Sequence, residues 1–331
     1  MKKSLLYITF FLFVNYFAFG QDVHFSQLGN STLFNSVASA GKNKIKLNSF
    51  AFYRSQWASI GNAYQTYGLS ADKRITKGKN GIGLGLIIYK DQAGELNFNQ
   101  LKANLSSSYH LRVSDFSQLS GGIQLGFTQY SIDESKAEWR TQFDGKKFDP
   151  TLPSQEQNLF ENFIHFDAGA GLLWSYNNKT PGRFTKSSFK KFNIGFSAYH
   201  ISQFKLKFNS NKPENIRYVI FTNSAFNLNN SVFEIEPSAL LQVKGKEYEL
   251  VTGTLLKFII IEESFHTGYY KRFNFSVGGY YRYPNDAFIP AINLEYDSFA
   301  FGVSYDVNIS ELNQASNYQG GLEFFLKHSL R

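Results

Sequence analysis

The side chains that could carry out chemistry in this 331-residue chain are scattered along it. No two of the six histidines show the H-x-x-x-H or H-x-E spacing that places metal ligands on one element. They are His24, His110, His165, His200, His266 and His328. Zinc sites in proteins usually carry closely spaced ligand pairs. We therefore expect no metal site.

The familiar catalytic motifs do not occur either. The chain has no cysteine, which excludes a thiol nucleophile, thiolate zinc sites and disulfides. The stretch GIGLG at Gly81–Gly85 lacks the full G-x-G-x-x-G and lies inside a strand pattern, so its glycines are interpreted as spacing residues on one strand face. No G-x-S-x-G occurs, and no spacing pairs two carboxylates for acid–base work. The sequence predicts a protein that is not an enzyme and uses no cofactor.

The stretch Asp297–Ile309, DSFAFGVSYDVNI, shows which elements carry these side chains. Large apolar residues alternate strictly with small or polar ones, which marks a strand with one apolar face. The apolar positions are Phe299, Phe301, Val303, Tyr305, Val307 and Ile309, and the small or polar ones are Ala300, Gly302, Ser304, Asp306 and Asn308. This contrast predicts a wall with lipid on one side and a crowded, wet lumen on the other.

The same alternation recurs from residue 45 to the end, with turn-like breaks between repeats. It gives fifteen candidate strands, of which Ser264–Lys271 is the shortest and least regular. Because single-chain bacterial barrels close with an even number of strands, we exclude that candidate. A mean hydropathy of −0.29 is too polar for a bundle of membrane helices. We predict an all-β transmembrane antiparallel barrel of 14 strands over residues 45–331.

The N-terminal segment predicts export. Residues 1–20 combine Lys2 and Lys3 with an apolar core from Leu5 to Phe19 and a small residue at Gly20, which is typical of a cleaved signal peptide. The alternative is an uncleaved anchor helix. Cleavage takes the net charge from +8 to about +6, and an exported chain does not meet nucleic acid. Residues 21–44 then form a polar, aperiodic lead that is either periplasmic or folded into the lumen.

The longest break in the strand pattern is Asp133–Asn162, which the predicted topology places outside the cell. Loops of this length are usually functional or disordered, so a shielding role is the alternative to binding. An interface needs a buried aromatic centre and a charged rim. The candidates for binding a partner are Trp139, Arg140, Phe143, Asp144, Lys146 and Lys147.

Several stretches together identify a family. They are QDVHFSQ at 21–27, FYRSQWASIGNAYQTYGLSAD at Phe52–Asp72, FDAGAGLLWSY at Phe166–Tyr176, NIGFSAYHIS at Asn193–Ser202, YYRYPNDAF at Tyr280–Phe288 and FGVSYDVNISELNQASNYQGGLEF at Phe301–Phe324. In order and spacing the chain resembles the PorP/SprF family of Bacteroidota outer-membrane proteins, with its Y-R-x-Q-W box at Tyr53–Trp57. Two departures are the LGNSTLFNSVASAGKNK segment, where the family is proline-rich, and the Ser-Leu-Arg end.

The resemblance implies a fourteen-stranded outer-membrane barrel that serves the type IX secretion system. Members are implicated in export and cell-surface attachment of large adhesins, including those used in gliding motility, and one type associates with the periplasmic ring of the machine. The implied partners are outer-membrane lipid, the C-terminal domain of a secreted adhesin and periplasmic ring components. Two alternatives remain open, namely a pore or transporter for small solutes and a scaffold that contacts only periplasmic partners.

The Y-R-x-Q-W box also has a structural interpretation. It lies at the outer end of the first predicted strand, where Tyr53 and Trp57 could form part of an interfacial aromatic girdle. Arg54 and Gln56 have the opposite parity and are expected to point inward. There Arg54 is expected to pair with a lumen carboxylate, Asp72 or Asp306, and so brace the barrel.

Overall fold

A computed structural model gives the architecture. It describes residues 25–30, 32–43, 45–57, 63–133, 137–155, 162–178, 189–205, 213–227, 232–261, 271–284, 287–310 and 318–330. Within these residues, fourteen antiparallel strands each pair with their neighbours in chain order, and the last pairs with the first to close a barrel. The predicted fourteen-stranded barrel is confirmed. Of the excluded candidate Ser264–Lys271, all but Lys271 lies outside the described residues.

The strands are 10 to 15 residues long, which matches the length that a tilted strand needs to cross a bilayer. They are β1 (Leu47–Gln56), β2 (Tyr64–Lys77), β3 (Asn80–Ala93), β4 (Phe98–Arg112), β5 (Ser117–Ser131), β6 (Phe163–Asn177), β7 (Phe189–Tyr199), β8 (Arg217–Asn227), β9 (Phe233–Lys244), β10 (Glu247–Ile261), β11 (Phe273–Tyr283), β12 (Ala287–Tyr296), β13 (Phe299–Asn308) and β14 (Gln319–Leu330). No described helix is long and apolar enough to cross a membrane.

The outer face of the wall carries the apolar side chains that the alternation predicted. In β13, Phe301 is 46% exposed while Ser304 on the opposite parity is 1% exposed. Exposed leucine, isoleucine, phenylalanine and tyrosine side chains continue around the other strands. Such a surface is stable only in contact with lipid, and ring closure leaves no open sheet edge in the hydrocarbon region. The chain is a transmembrane β-barrel.

The two rims of the barrel can be told apart. β1 begins where β14 ends, because Leu47 pairs with Leu330. Both termini of a single-chain bacterial barrel face the periplasm. This rim is therefore the periplasmic rim, and the opposite one, which carries the long segment between β5 and β6, is the outer rim.

The interior is crowded, as the sequence predicted, but its side chains are not all small or polar. Large apolar side chains point inward and are almost fully buried, among them Phe221, Tyr280, Ile289 and Phe325. Three of them, Phe221, Tyr280 and Ile289, belong to one apolar cluster together with Leu28 and Val37 from the segment before β1. The inward face is therefore not limited to small and polar residues, because the interior is packed as a core.

The segment that precedes β1 lies inside the barrel. We call residues 25–30 and 32–41 the lead; it contains a short helix, α1 (Thr32–Asn35), and a 3-10 turn at Val37–Ser39. Ala38 within that turn is completely buried. Of the two locations open from the sequence, periplasmic or lumenal, the structure has the lumenal one for these residues.

Inward-facing glycines make room for the lead. A Cβ atom on Gly83 of β3 would lie 1.9 Å from the carbonyl oxygen of Ala40. One on Gly122 of β5 would lie 2.9 Å from the Cα atom of Ala38. Real Cβ atoms do not approach other atoms so closely. Glycine at these wall positions therefore permits direct contact between strand backbone and lead backbone.

Candidate functional site

Charged side chains from five strands converge near the outer rim. Arg54 of β1 places Nη2 2.8 Å from Oδ2 of Asp306 in β13 and Nη1 3.2 Å from Oε2 of Glu323 in β14. Arg282 of β11 places Nη1 2.5 Å from the same Oδ2 of Asp306. Nε of Arg282 lies 3.6 Å from Oε2 of Glu249 in β10. All five side chains are buried.

Ser26 of the lead hydrogen-bonds to four of these charged side chains. Its backbone N–H donates to Oε2 of Glu323 at 3.0 Å, and its hydroxyl donates to Oδ1 of Asp306 at 2.8 Å. Arg54 and Arg282 each donate to the hydroxyl oxygen at 3.1 Å. We call Ser26 and the five charged side chains the outer cluster. Buried charges are tolerated only when they are paired and hydrogen-bonded. The lead supplies some of the hydrogen bonds that these charges need.

A second set of polar contacts holds the other end of the lead. The backbone N–H of Gly41 donates to Oδ2 of Asp72 at 2.9 Å, and Asn48 donates to Oδ1 of the same carboxylate at 2.9 Å. The carbonyl oxygen of Ala40 accepts from the Ser108 hydroxyl at 2.6 Å and from Nε2 of His110 at 2.8 Å. A carbonyl can only accept, so Nε2 of His110 carries the proton. We call Asp72, Ser108 and His110 the inner cluster.

Three of the four residues predicted to brace the lumen belong to these two clusters. Arg54 lies beside Asp306, and not beside Asp72, which was the other partner considered. Within β1 and β2, Arg54 is opposite Thr66 whereas Asp72 is opposite Asn48. Six residues of strand separate the two positions, roughly 20 Å, so an ion pair between them cannot form. Gln56 ends β1 at the outer rim, where its Cγ lies close to Gly321.

The two predicted girdle residues have different surroundings. The Tyr53 ring lies 4.9 Å from that of Tyr67 on the lipid-facing side of β1 and β2. Trp57 follows β1 with a φ of 60°, and its N–H donates to the carbonyl of Gly320 at 3.0 Å. Both residues therefore lie near the outer rim, and the Tyr53 ring faces outward.

The six predicted partner-binding residues lie together on one ordered loop tip. Within residues 137–155, a 3-10 turn at Arg140–Gln142 is followed by a β-bridge between Phe143 and Phe148. The tip between them is a tight turn in which Oδ1 of Asp144 accepts from the N–H groups of Lys146 and Lys147 at 2.7 and 2.8 Å. These two donors hold the pKa of Asp144 below its ordinary value.

The aromatic side chains of this loop are presented differently. Phe143 is 54% exposed at the tip. Trp139 is partly buried, and its backbone N–H donates to Oε1 of Gln142 at 3.2 Å. A partly supported tryptophan beside an exposed phenylalanine, with Arg140, Lys146 and Lys147 exposed around them, has the residue types of a protein interface.

A small cavity that is partly open to solvent lies between the lead and the wall. Its lining includes Phe25, Phe34, Tyr89, Lys102, Tyr199 and Arg217. The Arg217 guanidinium carbon lies 4.5 Å from the centre of the Tyr199 ring. Among the described residues, no three histidine, aspartate or glutamate side chains are grouped so that they could hold a metal ion.

Sequence reasoning missed the roles of Ser26, Arg282, Glu249 and Glu323. Parity alone could have placed the three charged ones on an inward face, since each alternates with outward apolar neighbours. Nothing local indicates that they meet, because Ser26 and Glu323 are 297 residues apart.

Comparison with known proteins gives one family match. A family model described as the type IX secretion system membrane protein PorP/SprF matches residues 17–327. A search of curated proteins found no match. This match spans all fourteen strands except the last residues of β14.

Several solved barrels are similar in fold. A TodX monoaromatic hydrocarbon channel with the deltaS2S3 mutation is 8% identical, with 91% of this chain and 94% of that chain covered and a TM-score of 0.51. The P. putida toluene transporter TodX is 9% identical, with 92% and 94% covered and a TM-score of 0.48. A Pseudomonas aeruginosa FadL homologue is 9% identical, with 91% and 94% covered and a TM-score of 0.47. At these identities the likeness concerns the fold alone.

Proposed function

This chain belongs to the PorP/SprF family of type IX secretion system membrane proteins, and from that membership we propose that it supports secretion and cell-surface anchoring of a large adhesin. The anchoring would consist of binding the adhesin's C-terminal domain, with a cargo of the kind used in adhesion or gliding motility. The chain would reach the outer membrane through a cleaved signal peptide, residues 1–20. Its family and fold are those of a secretion-system membrane barrel, which is not a known enzyme class.

The observation that supports binding at the outer face is the ordered tip of the loop between β5 and β6. Its 54% exposed Phe143 and partly buried Trp139 are the aromatic types that dominate interface energetics when a partner covers them. Arg140, Lys146 and Lys147 would form the charged rim. A folded protein domain that carries carboxylates around an apolar pocket is the partner that this arrangement fits.

The tip is already held in shape before a partner arrives. Asp144 caps two backbone N–H groups, and the Gln142 side-chain amide donates to the carbonyl of Leu152 at 3.0 Å. Ordering a loop on binding costs free energy that then does not appear as affinity. A preformed tip avoids most of this cost, which supports a binding role over a shielding role.

The proposal is tested by pull-down of the barrel in detergent with a purified type IX adhesin C-terminal domain from the same bacterium. The Phe143→Ala variant should bind about 30-fold more weakly, because a central aromatic contact is typically worth about 2 kcal/mol or more. Phe116→Ala is the matched control, since Phe116 is also exposed but lies in the short turn between β4 and β5 at the periplasmic rim. Unchanged binding by Phe143→Ala and by a chain without residues 137–155 would show that this loop does not bind the adhesin.

A further inference from the structure

The lead contacts nearly the whole circumference of the wall along its length. Its first part, at Ser26, is bonded to β1, β11, β13 and β14 near the outer rim. Its middle part is bonded to β7, where the hydroxyl oxygens of Ser36 and Ser197 are 3.1 Å apart. Its last part, at Ala40 and Gly41, is bonded to β2 and β4 toward the periplasmic rim. The chain therefore crosses the lumen from the outer side to the periplasmic side.

On the side of β8, β11 and β12, the space beside the lead is filled by the wall's own side chains. Tyr280, Phe221 and Ile289 project from β11, β8 and β12 and are at most 2% exposed. They share one apolar cluster with Leu28 and Val37 of the lead. A channel for polar solutes needs a continuous polar path, and this apolar packing closes one side of the lumen while the lead occupies its middle.

We propose that the lead is a permanent plug that seals the lumen, so that this barrel conducts no solute and acts through its rim surfaces alone. This goes beyond adhesin binding and does not depend on it. The plug is permanent because buried polar contacts tie both of its ends to the wall, at Ser26 and at Ala40 and Gly41. The backbone contacts at Gly83 and Gly122 also leave no clearance in which the lead could slide.

A designed disulfide tests whether the lead lies where the structure has it. The chain has no cysteine, so a Ser36→Cys/Ser197→Cys pair would be the only thiols present. Their hydroxyl oxygens are 3.1 Å apart, and both residues are fully buried, so oxidation of the membrane-embedded barrel should give nearly complete cross-linking. The control pair is Ser36→Cys/Ser304→Cys, in which the second residue is on β13 and should remain reduced.

Planar-bilayer recordings test whether the lumen is sealed. We expect no steady conductance from the native barrel or from the cross-linked one, and stable open channels from a chain without residues 25–41. If that deletion does not fold, the single Ser36→Cys variant decides the point: its thiol should resist a water-soluble maleimide in the folded barrel and react fully after unfolding. Steady currents through the cross-linked barrel, or rapid maleimide labelling of the folded variant, would overturn the proposal. Neither readout involves an adhesin, so failure here is separate from failure of adhesin binding.

Discussion

Replacement of Arg54 by methionine should be among the most damaging single changes in the barrel wall. Methionine keeps much of the apolar stem of arginine but removes the guanidinium, and with it the contacts to Asp306 and Glu323. Among the five charged side chains of the outer cluster, two are cationic and three are anionic. The substitution leaves Arg282 alone against three buried carboxylates.

The size of the effect follows from burial. A pair of unit charges 2.8 Å apart, the Arg54–Asp306 distance, attract by about 6 kcal/mol at an effective dielectric constant of 20, before desolvation is subtracted. Breaking a buried pair by removing one partner typically costs about 3–5 kcal/mol, since the other charge stays buried. We expect a loss in this range, which lowers the ratio of folded to unfolded chains by about two to four powers of ten.

The measurement is reversible urea unfolding from lipid vesicles, followed by tryptophan fluorescence and by the heat-dependent migration of folded barrels. Arg112→Met is the matched control, because Arg112 pairs with Asp115 at the same 2.8 Å but the two side chains are 33% and 84% exposed. Such a surface pair contributes about 0–1 kcal/mol. Equal losses for the two variants would refute the idea that the outer cluster is a dry, closely coupled group.

A double substitution tests the coupling within the cluster. Adding Glu323→Gln to Arg54→Met removes one of the uncompensated carboxylates while an amide oxygen remains to accept the Ser26 N–H. The combined loss should therefore be smaller than the sum of the two single losses, by about 0.5–3 kcal/mol. Strict additivity would mean that the two charges act independently.

Two further expectations concern the lead and the outer loop. Gly83→Ala should destabilise the barrel by about 1–3 kcal/mol through overpacking against the lead, whereas Gly121→Ala, whose Cβ would meet only a leucine methyl at 3.6 Å, should be near neutral in the same urea assay. Asp144→Ala should speed tryptic cleavage after Lys146 and Lys147, because the turn loses its acceptor. The pKa of Asp144 in the folded protein is depressed. The turn therefore keeps its charge-dependent stability at pH values above the ordinary aspartate pKa of about 3.9, and loses it as the pH falls through the lower folded pKa. The NMR shifts of the backbone N–H groups of Lys146 and Lys147 would follow this loss.

The wall was predictable from the sequence because its information is local. In a strand every second residue faces the same way, so the parity of Phe301 and Ser304 places them on opposite faces of the wall. The rule that single-chain bacterial barrels close with an even number of strands then reduced the fifteen candidate strands to fourteen. The interior was harder to predict because inward residues meet across the lumen. Parity placed Arg54 inward but could not distinguish Asp306 from Asp72 as its partner.

The lead was not predictable for a related reason. A segment that packs inside a barrel is surrounded by wall on all sides, so it has no exposed face and need not show a strand or helix period. The wall instead carries glycines, such as Gly83 and Gly122, where the backbone of the lead packs against it. From the sequence, the glycines of Gly81–Gly85 were expected to be spacing residues. In the structure, the backbone of the lead occupies the space that Gly83 leaves.

The stretches that carry the family resemblance also acquire a physical meaning. Ser26 comes from QDVHFSQ, Arg54 from the Y-R-x-Q-W box, Arg282 from YYRYPNDAF, and Asp306 and Glu323 from the last block. All five meet in the outer cluster, where they tie the lead to the wall. Residues used in this way are buried and cannot touch an outside partner. Under the binding role proposed above, selection of an adhesin would depend on surfaces outside these contacts, such as the loop tip at Phe143. Exchanging residues 137–155 between two barrels of this family should then exchange their adhesin preference and leave the bilayer conductance of each barrel unchanged.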